Sequence, residues 1–255
     1  MSMSDPATTL LNRLKGREAK VAESKLLKDL IDLLEPIKFN RIRCLALGSP
    51  STEFQALYQL ALLKLLTDKL SIDSVTCYDP VFTDSDTQLL EGLRFSVDSM
   101  ELDDPAIVSS TLYYMPHAPR SFTETFIKDI QPTYILGNDL TVTAGSLSKV
   151  KFLEQLPTLA TLSHLAAGED EKPKDDGFSV VSSRRRKKSS KLVYKEPVLE
   201  YPVDEVYFRG VEITRITSDS DSPWKDSFSD MAFNIILRKN LQDTKEACTT
   251  IELTA

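Results

Sequence analysis

The chain has 255 residues, 41 % of them hydrophobic, and is long enough to bury one sizeable core. Its 31 basic and 38 acidic residues give a net charge of -7, which argues against a general affinity for nucleic acid or an anionic membrane. The apolar run "FQALYQLALLKLL" is interrupted by Gln59 and Lys64 and is too short to span a bilayer. Asp5 and Pro6 interrupt the region where a secretory signal needs a continuous apolar core. We therefore expect a soluble protein that is not secreted and does not bind membranes.

The three cysteines, Cys44, Cys77 and Cys248, are odd in number and lack the spacing of metal ligands. The first two fall inside predicted strands, where a free thiol behaves as a small apolar group. The sequence therefore predicts no metal site and favours a reducing compartment.

Predicted helices and strands alternate along the chain as far as Asp139. The first helix lies in "ESKLLKDLIDLLEPIKF", where one broad face carries Leu26, Leu27, Leu30, Ile31, Leu33 and Leu34, and Pro36 ends the pattern. A buried strand, "RIRCLALG", follows, and then a helix from about Pro50 to Leu70 with Ser49 as its N-cap. The next predicted elements are strand "SVTCYDP", helix "DSDTQLLEGL", strands "RFSVDS" and "SSTLYYMP", helix "SFTETFIKDI" and strand "PTYILGND". This alternation predicts an α/β fold with a mainly parallel central sheet covered on both faces, a Rossmann-like three-layer fold.

The composition changes after this alternating region. Residues 167–191 are rich in acids, lysines and serines and poor in apolar groups, so they cannot bury enough surface to offset the entropy of ordering. We expect a disordered basic insertion here, after which "VDEVYFRGVEITRI" and "MAFNIILRK" return as strands to the edge of the same sheet. The predicted organisation is an N-terminal helical segment (1–39), a core (40–166), the insertion (167–191) and C-terminal strands that complete the core (192–255).

Four phrases occur in a characteristic order and spacing: "LALGSPSTEFQALYQLALLKLL", "VTCYDPVFTDSDTQLLEGL", "TLYYMPHAPRSFTETFI" and "YILGND". Together they closely resemble the Sensitivity to Red light Reduced domain family, and the late "MAFNIIL" is similar to the closing strand of that family. The chain looks most like the fungal benomyl-resistance branch. The resemblance implies regulation, which in the family concerns light and clock signalling in plants and microtubule-drug sensitivity in fungi. It establishes no enzymatic reaction. The segment "DDGFSVVSSRRRKK" is similar to one that precedes the domain in relatives, whereas here it falls inside the domain.

Polar residues mark the carboxyl ends of the predicted strands, where ligands bind in open parallel sheets. These candidate ligand-binding residues are Gly48, Ser49, Asp79, His117, Asn138 and Asp139. Converging on one edge, they would form a site for a polar ligand.

Each candidate also has a structural interpretation. Gly48 and Ser49 make a turn and a helix cap equally well, and the "GxGxxG" fingerprint of dinucleotide binding is absent. Asp79 precedes a proline, a pair that ends strands for local reasons. His117 lies between two prolines that stiffen its backbone, but no local serine or cysteine supports nucleophilic catalysis. Asn138 and Asp139 are also tolerated in left-handed turns. Only their joint position favours a site.

Other conspicuous residues are interpreted as structural. Asp84 and Asp86 lack the further acids and the glycine of a calcium loop, and we expect them to cap a helix. Tyr113 and Tyr114 should be core aromatics on opposite faces of the sheet. His164 is isolated near the end of an expected helix and supports no specific chemistry.

A basic run consists of Arg184, Arg185, Arg186, Lys187 and Lys188. It has three interpretations: a nuclear import signal, a contact with nucleic acid or acidic tubulin tails, and a solvated loop. The neighbouring serines would weaken any such contact when phosphorylated, because each phosphate adds nearly two negative charges.

Two functions remain open from the sequence. In the first, the chain is a non-enzymatic regulatory protein of the cytoplasm and nucleus that acts through an unidentified protein partner, with tubulin as one candidate. In the second, it is an enzyme or sensor that binds a nucleotide-like or other polar metabolite at the strand ends. No cofactor is identified, and we favour the first function because no complete set of catalytic residues is evident.

Overall fold

The computed structural model describes residues 6–99, 104–142, 147–167, 198–217 and 221–239. The helices are α1 (Pro6–Ala22), α2 (Lys25–Leu34), α3 (Phe54–Lys69), α4 (Asp84–Gly92), α5 (Pro105–Val108), α6 (Arg120–Ile130), α7 (Lys149–Gln155) and α8 (Pro157–Ala167), with a 3-10 helix at Lys225–Phe228. The strands are β1 (Arg41–Leu45), β2 (Val75–Tyr78), β3 (Ser96–Val97), β4 (Thr111–Met115), β5 (Tyr134–Asn138), β6 (Phe208–Arg215) and β7 (Met231–Arg238).

The strands form one seven-stranded sheet in the order β3-β2-β1-β4-β5-β7-β6. Strands β1 to β5 are all parallel, whereas β7 is antiparallel to β5 and β6 is antiparallel to β7. The predicted mainly parallel sheet is therefore confirmed, and so is the return of the two C-terminal strands to its edge.

Two apolar cores lie on opposite faces of this sheet, because successive side chains of a strand point to opposite sides. Tyr114 packs into the core built with α1 to α4, and Tyr113 packs into the core built with α5 to α8. Both tyrosines are fully buried, as predicted. Cys44 and Cys77 are buried free thiols in the first core, also as predicted. Helices thus flank the sheet on both sides.

Helix α3 begins later than the sequence predicts. Its N-cap is Glu53, not Ser49, and residues 49–52 form the preceding loop and turns. The prediction of Ser49 as the N-cap is wrong because its hydroxyl is bonded to Asp86 instead, 2.7 Å away. The loop after β1 is therefore longer than expected.

No bounds were predicted from the sequence for four of the α-helices, α1, α5, α7 and α8. Helix α1 packs on α3 and buries Leu10, Leu14 and Val21. These apolar residues are too widely spaced to form an obvious helical pattern in the sequence. Helix α7 is two turns long, and α8 follows it after a single residue. These elements depend on tertiary contacts more than on local periodicity.

Residues 168–197 lie outside the described residues, and so do the basic run at 184–188, Cys248 and nearly all of the predicted insertion; only Ala167 of that insertion is seen, at the end of α8. Within the described ranges, none of the helices combines the length and the apolar character needed to cross a bilayer.

Candidate functional site

The loop that follows β1 is bound to carboxylates of the same chain. Three backbone N–H groups donate: Gly48 to Asp79 Oδ2 (2.8 Å), Ser49 to Glu53 Oε1 (3.1 Å) and Ser51 to Asp86 Oδ1 (2.7 Å). Gly48 has a φ of 78°, and a Cβ there would meet Glu53 Oε2 at 2.8 Å. Loop N–H groups of this kind hold phosphate in nucleotide-binding folds. Here they already face negative groups, which supports the structural interpretation of Gly48 and Ser49.

Asp86 is the centre of this loop network. It is completely buried, and its carboxylate also accepts hydrogen bonds from Thr83 N (2.9 Å) and Thr83 Oγ1 (2.8 Å). Burial by itself raises the pKa of Asp86, but the hydrogen bonds from Thr83, Ser49 and Ser51 outweigh it and hold the pKa below its usual value. Thr83 is the N-cap of α4 and forms a capping box with Asp86. The predicted capping role is thus confirmed for Asp86, whereas Asp84 only lies in the first turn.

Asp79 lies at the carboxyl end of β2 and holds two segments together. Besides the bond from Gly48, its carboxylate accepts one from Val81 N (3.0 Å) within its own turn. This is the local turn bonding that an Asp-Pro pair favours. Asp79 therefore belongs to the loop network, and it does not line the cavities beyond the ends of β4 and β5.

Two adjoining cavities of about 210 Å³ each open beyond the carboxyl ends of β4 and β5. Asn138, Ser229, Asp230 and Met231 line both of them. The first, here named the Arg120 cavity, is also lined by Arg120, Asp139, Leu140, Val142, Phe152 and Arg215. The second, named the His117 cavity, also includes His117 and Asp226. The two cavities together are called the cleft. The structure places three of the six sequence-predicted residues, His117, Asn138 and Asp139, in it.

Asp139 is a buried carboxylate in the wall of the Arg120 cavity. Its Oδ1 accepts from Thr141 N (2.8 Å) and Thr141 Oγ1 (2.7 Å), and its Oδ2 accepts from Arg215 Nε (2.6 Å). Burial raises the pKa of Asp139, but the bonds from Thr141 and the charge of Arg215 more than compensate and lower it overall. Asp139 is therefore ionised at neutral pH and fixes the loop after β5 to β6.

Asn234 holds the same loop from the other side and was missed in the sequence. This fully buried β7 residue accepts a hydrogen bond from Leu140 N (3.2 Å) and donates to the carbonyl oxygens of Asn138 (3.2 Å) and Ile135 (3.3 Å). The available signal was a single amide inside the apolar run "MAFNIIL", since a buried polar group needs partners.

His117 is exposed in the turn after β4. In the part of the chain that the structure describes, no hydrogen bond or ion pair involves its imidazole.

The buried thiol of Cys44 is not activated as a nucleophile, because burial raises the pKa of this thiol well above its usual value. Across the described residues, no group of three or more His, Cys, Asp or Glu side chains could hold a metal ion.

A sequence model of the SRR1 domain matches residues 24–235. The SRR1-like protein of Drosophila melanogaster is 34 % identical over 102 residues, which is 39 % of this chain and 36 % of that relative. The matched part is thus about a third of the curated relative's length. No solved structure matches. Because the domain match covers most of the chain, from α2 to β7, the chain belongs to the SRR1 domain family.

Proposed function

We propose that this chain is a regulatory protein that acts by binding protein partners, with its α/β fold as a scaffold for those contacts. Membership in the SRR1 domain family supports the regulatory role. We place that role in microtubule-related or signalling and clock-type regulation, and we place the chain in the fungal benomyl-resistance branch. The strand order, which reverses between β1 and β4, leads us to regard the fold as Rossmann-like.

The observation that carries the proposal is the bonding of three carboxylates, two that directly follow strands and one in the first turn of α4. Asp79, Asp86 and Asp139 each accept at least two hydrogen bonds from their own chain. The pKa values of Asp86 and Asp139 are lowered, so both are poorly matched to proton transfer at neutral pH. These acids hold loops together, which favours recognition over catalysis.

A second candidate function is that of a sensor or enzyme for a small polar metabolite. The specific observation in its favour is the cleft, because His117 and Asn138 are exposed in it while Asp139 and Asn234 fix its wall. A rigid cleft with a few polar groups at the strand ends is a common form of ligand site.

The basic run lies outside the described residues, and its role is proposed from composition alone. We propose that Arg184 to Lys188 serve nuclear import or a contact with acidic tubulin tails, in a protein of the cytoplasm and nucleus. Changing Arg184, Arg185 and Arg186 to alanine should reduce nuclear accumulation at equal abundance. Unchanged localisation would leave a solvated loop as the interpretation.

The main proposal is tested by growth on benomyl. A strain that lacks this protein is given the wild-type chain, H117A or N138A, and its growth is compared. If the fold is a scaffold, both variants melt normally and rescue as well as wild type. Loss of rescue at a normal melting temperature would instead support the second candidate function. Failure of the wild-type chain to rescue would contradict the microtubule link.

A further inference from the structure

The Arg120 cavity has an apolar wall and a charged side chain that has no partner among the described residues. Its apolar side is formed by Leu140, Val142, Phe152 and other aliphatic side chains. Val142 is 52 % exposed and is one of the few large apolar side chains in the described ranges to lie so open. An exposed apolar side chain inside a concave site favours contact with a ligand's apolar part.

Arg120 supplies the charge. Arg215 also lines the cavity, but its Nε is paired with Asp139 at 2.6 Å. For Arg120, by contrast, no ion pair or hydrogen bond is found among the described residues. Among the described residues that line this cavity, Arg120 is thus the arginine whose charge is not balanced by a carboxylate.

The position of Arg120 opposes its own charge. It is the first residue of α6, after the N-cap Pro119, where the helix dipole is positive and disfavours a cation. Lys128 lies in the last turn of the same helix, where the dipole favours a cation. Arg120 therefore gains nothing from its helix, and a bound anion would offset the unfavourable location.

We propose that the Arg120 cavity binds a small organic carboxylate with an apolar or aromatic body. The carboxylate meets Arg120, and the body lies against Leu140, Val142 and Phe152. This inference deepens the second candidate function and rests on the cleft being a ligand site.

The charge and size of the cavity determine this choice of ligand. Two arginines and two aspartates line it, so their formal charges cancel, with Asp139 paired to Arg215. A phosphate dianion is therefore disfavoured more strongly than a carboxylate, which carries a single charge and needs only Arg120. A cavity of roughly 150 Å³ holds a benzene molecule in an engineered protein. The volume of about 210 Å³ here therefore suits one ring or a branched chain carrying one carboxylate.

The test measures binding of three probes to the full chain by ligand-observed NMR or calorimetry at low salt. The probes are benzoate, the neutral benzamide and inorganic phosphate. We expect benzoate to bind in the millimolar range and benzamide at least tenfold more weakly, with no measurable phosphate binding. R120Q should lose at least tenfold in benzoate affinity without a change for benzamide.

The controls separate ligand binding from folding. R120K keeps the charge and should bind benzoate within a few-fold of wild type, while K128Q removes a cation from the same helix and should bind it equally well. R120Q should melt at or slightly above the wild-type temperature. Unchanged benzoate affinity in R120Q, tighter binding of phosphate than of benzoate, or no benzoate binding would each overturn the proposal.

Native mass spectrometry distinguishes this inference from the function on which it rests. A copurifying nucleotide or sugar that is lost in H117A or N138A would support the sensor function and overturn the carboxylate assignment. A copurifying carboxylate that is lost in R120Q would support both.

Discussion

At the scale of single residues, Asp86 shows how a buried charge is kept in this fold. It has no accessible surface, yet Ser49, Ser51 and Thr83 surround its carboxylate with donors. A buried ion is tolerated only when such bonds replace its hydration. Asp86 therefore joins the loop after β1 to the start of α4, and its ionised form adds to the free energy of unfolding.

We expect D86N to lower the free energy of unfolding by about 2 to 4 kcal/mol, because it leaves buried donors without a charged acceptor. D84N is the matched control, since Asp84 is exposed in the same helical turn, and it should cost less than about 1 kcal/mol. Urea unfolding of the three proteins measures both values. Equal effects of the two substitutions would contradict the network.

The same substitution should change the response to acid. The folded-state pKa of Asp86 is lowered, so its contribution is present above the unfolded pKa of about 3.9 and is lost as the pH falls through the folded value. The stability difference between wild type and D86N should therefore be full near neutral pH and should shrink below about pH 4. Urea midpoints across this range check it, and a difference that persists in acid would show that Asp86 is not ionised in the folded state.

Asp79 and His117, which the sequence placed together at the strand ends, should behave differently. D79N weakens two backbone hydrogen bonds and should cost about 1 to 2 kcal/mol. H117A alters an exposed side chain and should cost less than about 0.5 kcal/mol. Thermal melting distinguishes them, and a large loss in H117A would mean that the turn after β4 depends on the imidazole.

At the scale of elements, the groups that cap a helix can come from a distant part of the chain. The first N–H groups of α8 illustrate this, because Thr158 N and Leu159 N donate to Glu124 of α6 at 2.7 and 2.9 Å. A cap supplied by a different helix leaves no local sequence signal. This is one physical reason why the bounds of α8 were not predicted, whereas those of α4, with its own capping box, were.

The β4–β5 pair gives a prediction at this scale. Gly137 lies opposite Met115, and a Cβ on Gly137 would meet the Met115 carbonyl oxygen at 2.5 Å, a backbone atom that cannot move without disturbing the sheet. G137A should therefore destabilise the protein by about 2 to 3 kcal/mol or more. G16A is the control, because a Cβ there has open space within α1, and it should stabilise by about 0.5 to 1 kcal/mol. Chemical unfolding measures both, and a neutral G137A would contradict the close strand approach.

At the scale of the whole molecule, two cores and one sheet carry the fold, and residues 168–197 lie outside the described residues. From composition we expect deletion of residues 169–190 to leave the fold intact, because this segment has few apolar groups to contribute. The melting temperature should change by less than about 4 °C, which corresponds to about 1 kcal/mol in a domain of this size. A drop of many degrees would show that the segment packs on the core and that the domain organisation is wrong.

The sequence by itself determined the alternation of strands and helices, the mainly parallel sheet and the burial of Tyr113 and Tyr114, because these follow from periodicity within short windows. Its ordered phrases also indicated the family. Only the tertiary structure decided which polar residues meet. The bonds of Ser49 to Asp86 and of Arg215 to Asp139 join residues 37 and 76 positions apart, and local patterns do not encode such pairs. For the same reason, the six candidates divided into a loop network and a cleft, and Arg120 entered the site although no motif marked it.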